Sequence, residues 1–389
     1  MEPSITQPSI TQPNITQPKT FPAIREGDPS EGVRHWLRAW AGLVMSLMLG
    51  LGWGSLVQGG IPIIPNASSG GSWPLAMVSW ETGNGWTFQQ SGSRFQVQQP
   101  MRGIYRLKLG SLVVDVDAQR GGRIIAFDRG WGNVLQGNEV NPQNYGSTFW
   151  VSPQQLWDWP PPPEIDRDPY EVTFGDRALG NRALVLTSAP SPTLGIQVQK
   201  VLTLEAEPQQ DPALVVTYRV TNVTDRPVQY APWEVSRVSP TGLTFYPTGS
   251  RIYQSPAFGT PPTHTAAGVT WIDHDRPIPP QDHKLLAEGS GGWLAHLDDG
   301  QLFLKTFTDI PPGQQAPLES EIEVYINGDR TYVEMEHQGA YTTLKPQESL
   351  TWTVRWSLHQ VPPHVAPELG NGGLVDWITG GLLAQISPL

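Results

Sequence analysis

From Met101 onward, apolar and polar residues alternate with a period of two, the pattern of half-buried β-strands. The clearest case is ALVVTYRV, Ala213 to Val220, where Leu214, Val216, Tyr218 and Val220 face one way and Val215, Thr217 and Arg219 the other. LVVDV at Leu112 to Val116 and RIIAF at Arg123 to Phe127 are joined by DAQRGG, a hairpin-like turn whose glycines suit positive φ. Further strands are predicted at Leu302 to Phe307, Ile322 to Asn327, Thr331 to Glu336 and Leu350 to Trp356. A sustained helical period is missing from this part of the chain, apart from a short helix predicted in LVDWITGGLLAQI near the C-terminus. The pattern predicts an all-β protein: one large antiparallel β-sandwich over 101–358, with 359–389 as a C-terminal extension.

Two stretches break the alternation. YGSTFWVSPQQLWDWPPPP, Tyr145 to Pro163, gathers three tryptophans among prolines with neither a strand nor a helix period. Its prolines lack the N–H that a sheet ladder needs, so the rings are expected on a stiff loop that closes the end of a sheet or lines a cleft. At the other end, SITQP, SITQP and NITQP repeat within residues 1–18, a polar tract with nothing to bury. Ala39 to Val57 is uncharged and mostly apolar, and as a helix would reach about 28 Å at ~1.5 Å per residue, close to a bilayer core. Arg34 and Arg38 precede it and no Lys or Arg follows until Arg94, a bias that keeps the tail inside and exports the rest. The organisation expected is therefore a disordered tail over 1–38, a transmembrane or signal segment over 39–57, and a linker and approach over 58–100. The partner implied by that segment is a membrane, and the location a membrane-anchored or periplasmic one.

Composition narrows the function. A net charge of -11 without a basic run excludes a nucleic-acid partner, because phosphate backbones are held by clustered Lys and Arg. With no cysteine there is no disulfide framework, thiolate metal site or catalytic cysteine. His274 and His283 lie near Asp273, Asp275 and Asp282, but their spacing fits no standard metal site, and no metal or cofactor is expected.

VDVDAQRGGRIIAFDRGWGNVL resembles the opening of galactose mutarotase-like proteins, with Gly132, Asn133 and Leu135 in the place of a "GxNxL" turn. VTYRVTNVTDRPVQYAPWEVSRV is similar to their central strand pair, and YVEMEHQGAYTTLKPQESLTWTVRW to their closing strands. The pattern of Phe149, Trp150, Pro153, Trp157, Trp159 and Pro160 looks most like an uncharacterised branch of that superfamily, a domain of unknown function. The resemblance implies a galactose mutarotase-like supersandwich with a sugar-sized cleft and a sugar or glycan as ligand. It also implies a late glutamate as catalytic base, which falls on Glu336 or Glu334. Where the enzymes place a histidine acid, this chain has APWEV, so Trp233 and Glu234 stand there, and Glu234 or a loop histidine is the candidate acid. Trp150, Trp157, Trp159, Trp233, Arg123 and Lys305 are the expected binding shell, the rings stacking on sugar C–H faces and the cations bonding hydroxyls. Gln347 occupies a turn position where the family pattern has glycine. A noncatalytic glycan-binding or envelope protein is the alternative reading.

Overall fold

The computed structural model describes 77–80, 85–90, 93–176, 180–206, 211–255 and 257–386, with side chains from 95 onward except 176–182. The expected tail over 1–38, the apolar segment over 39–57 and most of the linker lie outside the described residues. Among the described residues no helix is long and apolar enough to cross a membrane.

Two antiparallel sheets make up the domain. The first begins with Met77–Trp80, Gly85–Gln90, Ser93–Met101, Ile104–Leu109, Leu112–Asp117 and Arg123–Asp128, each paired to the next. It continues through Ser147–Ser152, Val228–Val238, Val333–Gln338, Ile322–Ile326 and His283–Gly289. The second runs Glu171–Asp176, Gly180–Thr187, Ile196–Glu205, Ala213–Asn222, Ser349–Gln360, Gln301–Phe307 and Trp293–Asp298. Leu243–Gln254 belongs to both: its first half pairs with Trp293–Asp298 and Val269–Asp273, its second with His283–Gly289. Between the sheets lies one large apolar core, in which Phe149 of the first stacks on Tyr218 of the second at 4.2 Å.

Three local readings change. Strand structure starts before Met101: Phe95 and Val97 alternate into the core from Ser93–Met101, a pattern hidden by the glutamines around them. Ser147–Ser152 is a strand interior to the sheet rather than part of a loop; all six residues are buried, and a strand covered on both faces does not alternate. The prolines stiffen only the segment after it, a short 3-10 turn over Gln154–Leu156 and a single helical turn over Pro163–Asp166. The C-terminal helix forms over Gly372–Asp376 and continues to Leu382, with the Asn371 side chain accepting from Gly373 N and Leu374 N.

The motif turns are held by side chains. Asn133 Oδ1 accepts from Phe127 N and Leu135 N, and its Nδ2 donates to Ile125 O. Asn222 does the same for the turn after Ala213–Asn222, donating to Arg226 O and Leu344 O. Gly121 has φ +68, and a Cβ there would stand 2.0 Å from Asp166 O, so the turn admits only glycine. Gln347 takes φ +65, the left-handed region that favours glycine, so this turn carries a strained residue.

Candidate functional site

Successive side chains of the central strand, Val228–Val238, point to opposite faces of the first sheet. Glu234 and Ser236 face inward, between the sheets. Glu234 Oε1 accepts from Lys305 Nζ at 2.7 Å and Trp356 Nε1 at 3.0 Å, and its Oε2 from Tyr218 Oη at 2.5 Å. Lys305 Nζ also donates to Ser236 Oγ at 2.6 Å. Every residue of this group is buried, and both Glu234 oxygens are occupied.

Trp233, Val235 and Arg237 face outward, and the register places Glu336 opposite Val235, Glu334 opposite Arg237, and Glu323 opposite Glu336. Antiparallel partners share a face, so these carboxyls gather on one surface of the sheet. Glu336 Oε2 accepts from Trp233 Nε1 at 3.0 Å and Lys284 Nζ at 3.2 Å. Glu336 Oε1 is buried without a hydrogen-bond partner among the described residues. Lys284 Nζ lies closer to Glu323 Oε2, at 2.6 Å. Glu323 Oε1 is fixed by Ser320 N and Gln338 Nε2, both at 2.9 Å, and Gln338 Oε1 accepts from Ser152 Oγ. One pleat along, Arg237 donates to Glu334 Oε1 at 2.8 Å and Thr148 Oγ1 at 2.7 Å.

An indole cluster stands on this surface. Trp150 meets Trp157, Trp159 and Trp233 edge-on, at 6.1, 5.8 and 5.2 Å. Trp150 Nε1 donates to Asp166 Oδ1 and Trp157 Nε1 to Val151 O, so the loop is tied to the sheet at both ends. Trp233 is 1% exposed, whereas Trp159 is 50% exposed. Cations lie over two of the rings, Arg237 over Trp150 at 5.1 Å and Lys284 over Trp233 at 5.1 Å. A second loop reaches the same place, where Glu319 Oε1 accepts from Gln154 N at 2.9 Å.

The charges do not balance. Burial raises Glu336 to about 8, against the pull of Lys284, and the Glu323 and Glu334 charges push the same way. Burial likewise raises Glu323 to about 7 and lifts Glu319. Burial works against the Lys284 charge, but the nearby Glu323 and Glu336 carboxylates outweigh it and its pKa rises. One ammonium thus serves several carboxyls, and they titrate as a coupled set. Lys284 lies nearer Glu323 than Glu336, and burial favours the neutral form of Glu336. A neutral carboxylic acid with one free oxygen, next to a carboxylate on the same strand face, can donate and accept protons at one ligand.

The structure divides the expected site residues. Glu336, Glu334, Trp150, Trp157, Trp159 and Trp233 share the outer surface. Glu234 and Lys305 do not; they form a buried ion pair between the sheets, because Glu234 is one residue out of phase with the position opposite Glu336 and Lys305 reaches it from the second sheet. Lys305 is thus neither cleft-lining nor solvated. Arg123 is also packed away, bonding Gln143 O and Tyr145 O and lying 3.5 Å from Asp166, where it holds the loop. His274 and His296 share the Thr244 hydroxyl and His283 Nδ1 bonds Gln281 O, so none of the three is held against Glu336. Lys284, Glu323, Gln338, Ser152 and Arg237 were not expected. Glu323 had a signal, an acid at alternating register within the IEVYI strand.

Fold and site define a two-sheet antiparallel β-protein with a buried acid cluster under an aromatic roof. A family model described as a domain of unknown function, DUF4380, matches residues 145–359, and the chain belongs to that family. No curated protein matches the chain. Similar solved structures include a galactose mutarotase-like protein from Lactobacillus casei, 13% identical, covering 66% of this chain and 100% of that one at TM-score 0.47. A galactose mutarotase-like protein from Clostridium acetobutylicum is 10% identical over 66% of this chain and 95% of its own, at TM-score 0.45. A galactose mutarotase related enzyme from Lactobacillus acidophilus is 10% identical over 67% and 98%, at TM-score 0.44.

Proposed function

We propose that the chain is a carbohydrate-binding protein whose sugar site is the outer sheet surface around Glu336, and that Glu336 supplies the proton in the exchange of aldose anomers. The observation behind this reading is Glu336 Oε1, buried and unpartnered at the foot of the indole cluster while Oε2 is fixed by Trp233 and Lys284. In anomer exchange the ring oxygen is protonated as the anomeric hydroxyl loses its proton, and the ring opens to the aldehyde. Glu336 is the donor; Glu334, ion-paired with Arg237 one pleat away, is the acceptor. Trp159, half exposed at the edge of Trp150, is the stacking platform for the sugar's apolar face. The test is a titration of the full chain with neutral and acidic monosaccharides, following tryptophan fluorescence, with anomer exchange of the binding sugar measured by NMR. Saturable quenching with exchange that Glu336→Gln abolishes supports both parts.

A noncatalytic glycan-binding protein is favoured by one observation: APWEV, with Trp233 and Glu234, stands where the resembled enzymes carry their histidine, and the Trp233 N–H holds Glu336. Quenching without exchange would select that reading; no quenching by any sugar would remove both. We also read the domain as exported and tethered through 39–57, on the apolar run and its flanking arginines. Protease accessibility of the domain in spheroplasts tests this; protection until the membrane is lysed would contradict it.

A further inference from the structure

In the second sheet, strand pairing stops short at one edge. Phe307↔Val354 is the last pair between Gln301–Phe307 and Ser349–Gln360. Leu350 to Thr353 therefore keep a partner on one side only, Val220 to Thr217. A cleft of about 350 Å³ opens beside that free edge. It is lined by Thr308, Ile310, Thr342, Leu350, Thr351 and Thr353, of which Thr342 Oγ1 donates to Ala340 O and Thr353 Oγ1 pairs with Thr217 Oγ1, and among the described residues no ionisable side chain lines it.

The back of the cleft is short of hydrogen-bond partners. Trp352 is 6% exposed, and its indole N–H has no partner among the described residues. Behind it, His337 stacks on Phe307 at 4.4 Å and lies 5.1 Å from Trp352, and its Nδ1 is also unpartnered among the described residues. A buried donor left unpaired is uncommon because it forfeits its hydration, so the Trp352 N–H beside a cleft calls for a partner. Gly339, also in the lining, abuts the indole: a Cβ there would stand 3.0 Å from Trp352 Nε1 and 2.8 Å from Pro232 Cγ.

We propose that this cleft is a second binding site, for a neutral hydroxylated ligand of monosaccharide or polyol size, with Trp352 N–H as its central donor. The volume falls in the range of small-molecule pockets, ~300–1,000 Å³, and the lining offers hydroxyls and apolar patches without a charge to select an ion. None of the residues assigned to the Glu336 surface lines the cleft, although Pro232 and Gly339 adjoin Trp233 and Gln338 in the chain.

The test uses the full chain and follows the Trp352 indole N–H resonance by NMR during titration with D-glucose, D-galactose, N-acetyl-D-glucosamine and D-sorbitol. The expected result is a saturable shift with at least one of them. Trp352→Phe, which keeps the ring but removes the donor, weakens that binding about five- to tenfold, read from the remaining cleft amides. Gly339→Ala abolishes it, and Trp159→Ala and Glu336→Gln leave it unchanged. Should Gly339→Ala lower the melting temperature sharply, Thr351→Val takes its place, with weakened binding as the expected result. An indole resonance unmoved by all four compounds, or moved only by an uncharged peptide such as trithreonine, overturns the proposal. So does a shift that disappears with Trp159→Ala, which would place the ligand at the indole cluster.

Discussion

The two faces of the central strand carry the same chemistry and finish it differently. Inward, Glu234 meets Lys305, Trp356 and Tyr218 and has no oxygen left over. Outward, Glu336 meets Trp233 and Lys284 through one oxygen, and the other is empty. A saturated buried network specifies a fold, whereas one held partly unsatisfied keeps a place for something else. On this reading the inner pair is structural and the outer cluster is the proposed site, although the sequence offers both glutamates, Glu336 as base and Glu234 as acid.

Breaking the inner pair should have the largest effect. Lys305→Met leaves Glu234 buried without its cation and should cost about 3–5 kcal/mol, measured by denaturant unfolding. The double variant Lys305→Met with Glu234→Gln should recover most of that loss. A single substitution costing under about 1 kcal/mol would contradict a saturated structural pair.

The outer cluster should show itself in the pH dependence of stability. Glu336 has a folded pKa of about 8, raised by burial from an ordinary 4.5. Its stabilising contribution is thus full below about 4.5 and is lost as pH rises through about 8. His296 is the opposite case: burial lowers it from 6.5 to about 4, so its contribution is full above 6.5 and is lost as pH falls through about 4. Glu336→Gln should flatten the alkaline decline in melting temperature and leave the acid limb alone. An unchanged alkaline limb would mean that the proton is not on Glu336.

Much of the inner architecture is legible in the sequence, and less of the site. Ala213–Asn222 could be read directly, because one face is core and the other is not. Ser147–Ser152 could not, since both of its faces are covered and alternation vanishes. Glu334 and Glu336 are visible as two acids on one strand face. Glu323 reaches them from the preceding strand and Lys284 from one much earlier in the chain, and only the register of pairing brings the four together. Phase decides the rest: Glu234 is one residue from Trp233 and lies across the sheet from it.

Two smaller effects sharpen the contrast between a packed fold and an open site. Trp159→Ala should leave stability within about 0.5 kcal/mol, since the ring is half exposed, yet weaken sugar quenching severalfold. A loss of stability instead would make Trp159 part of the packing. Gln347→Gly should stabilise by about 0.5–1 kcal/mol, because the residue's φ of +65 suits glycine. A destabilised variant would show that the Gln347 side chain has contacts that outweigh its strain.

The most direct test of Glu336 as the protonated group of the outer cluster is a carbon-detected NMR titration of its side-chain carboxyl in the full chain, assigned by its loss in Glu336→Gln. The expected result is a protonated carboxyl at neutral pH, titrating near 8 and moving when a sugar binds. A carboxyl already ionised at neutral pH, titrating near its ordinary 4.5, would contradict that assignment.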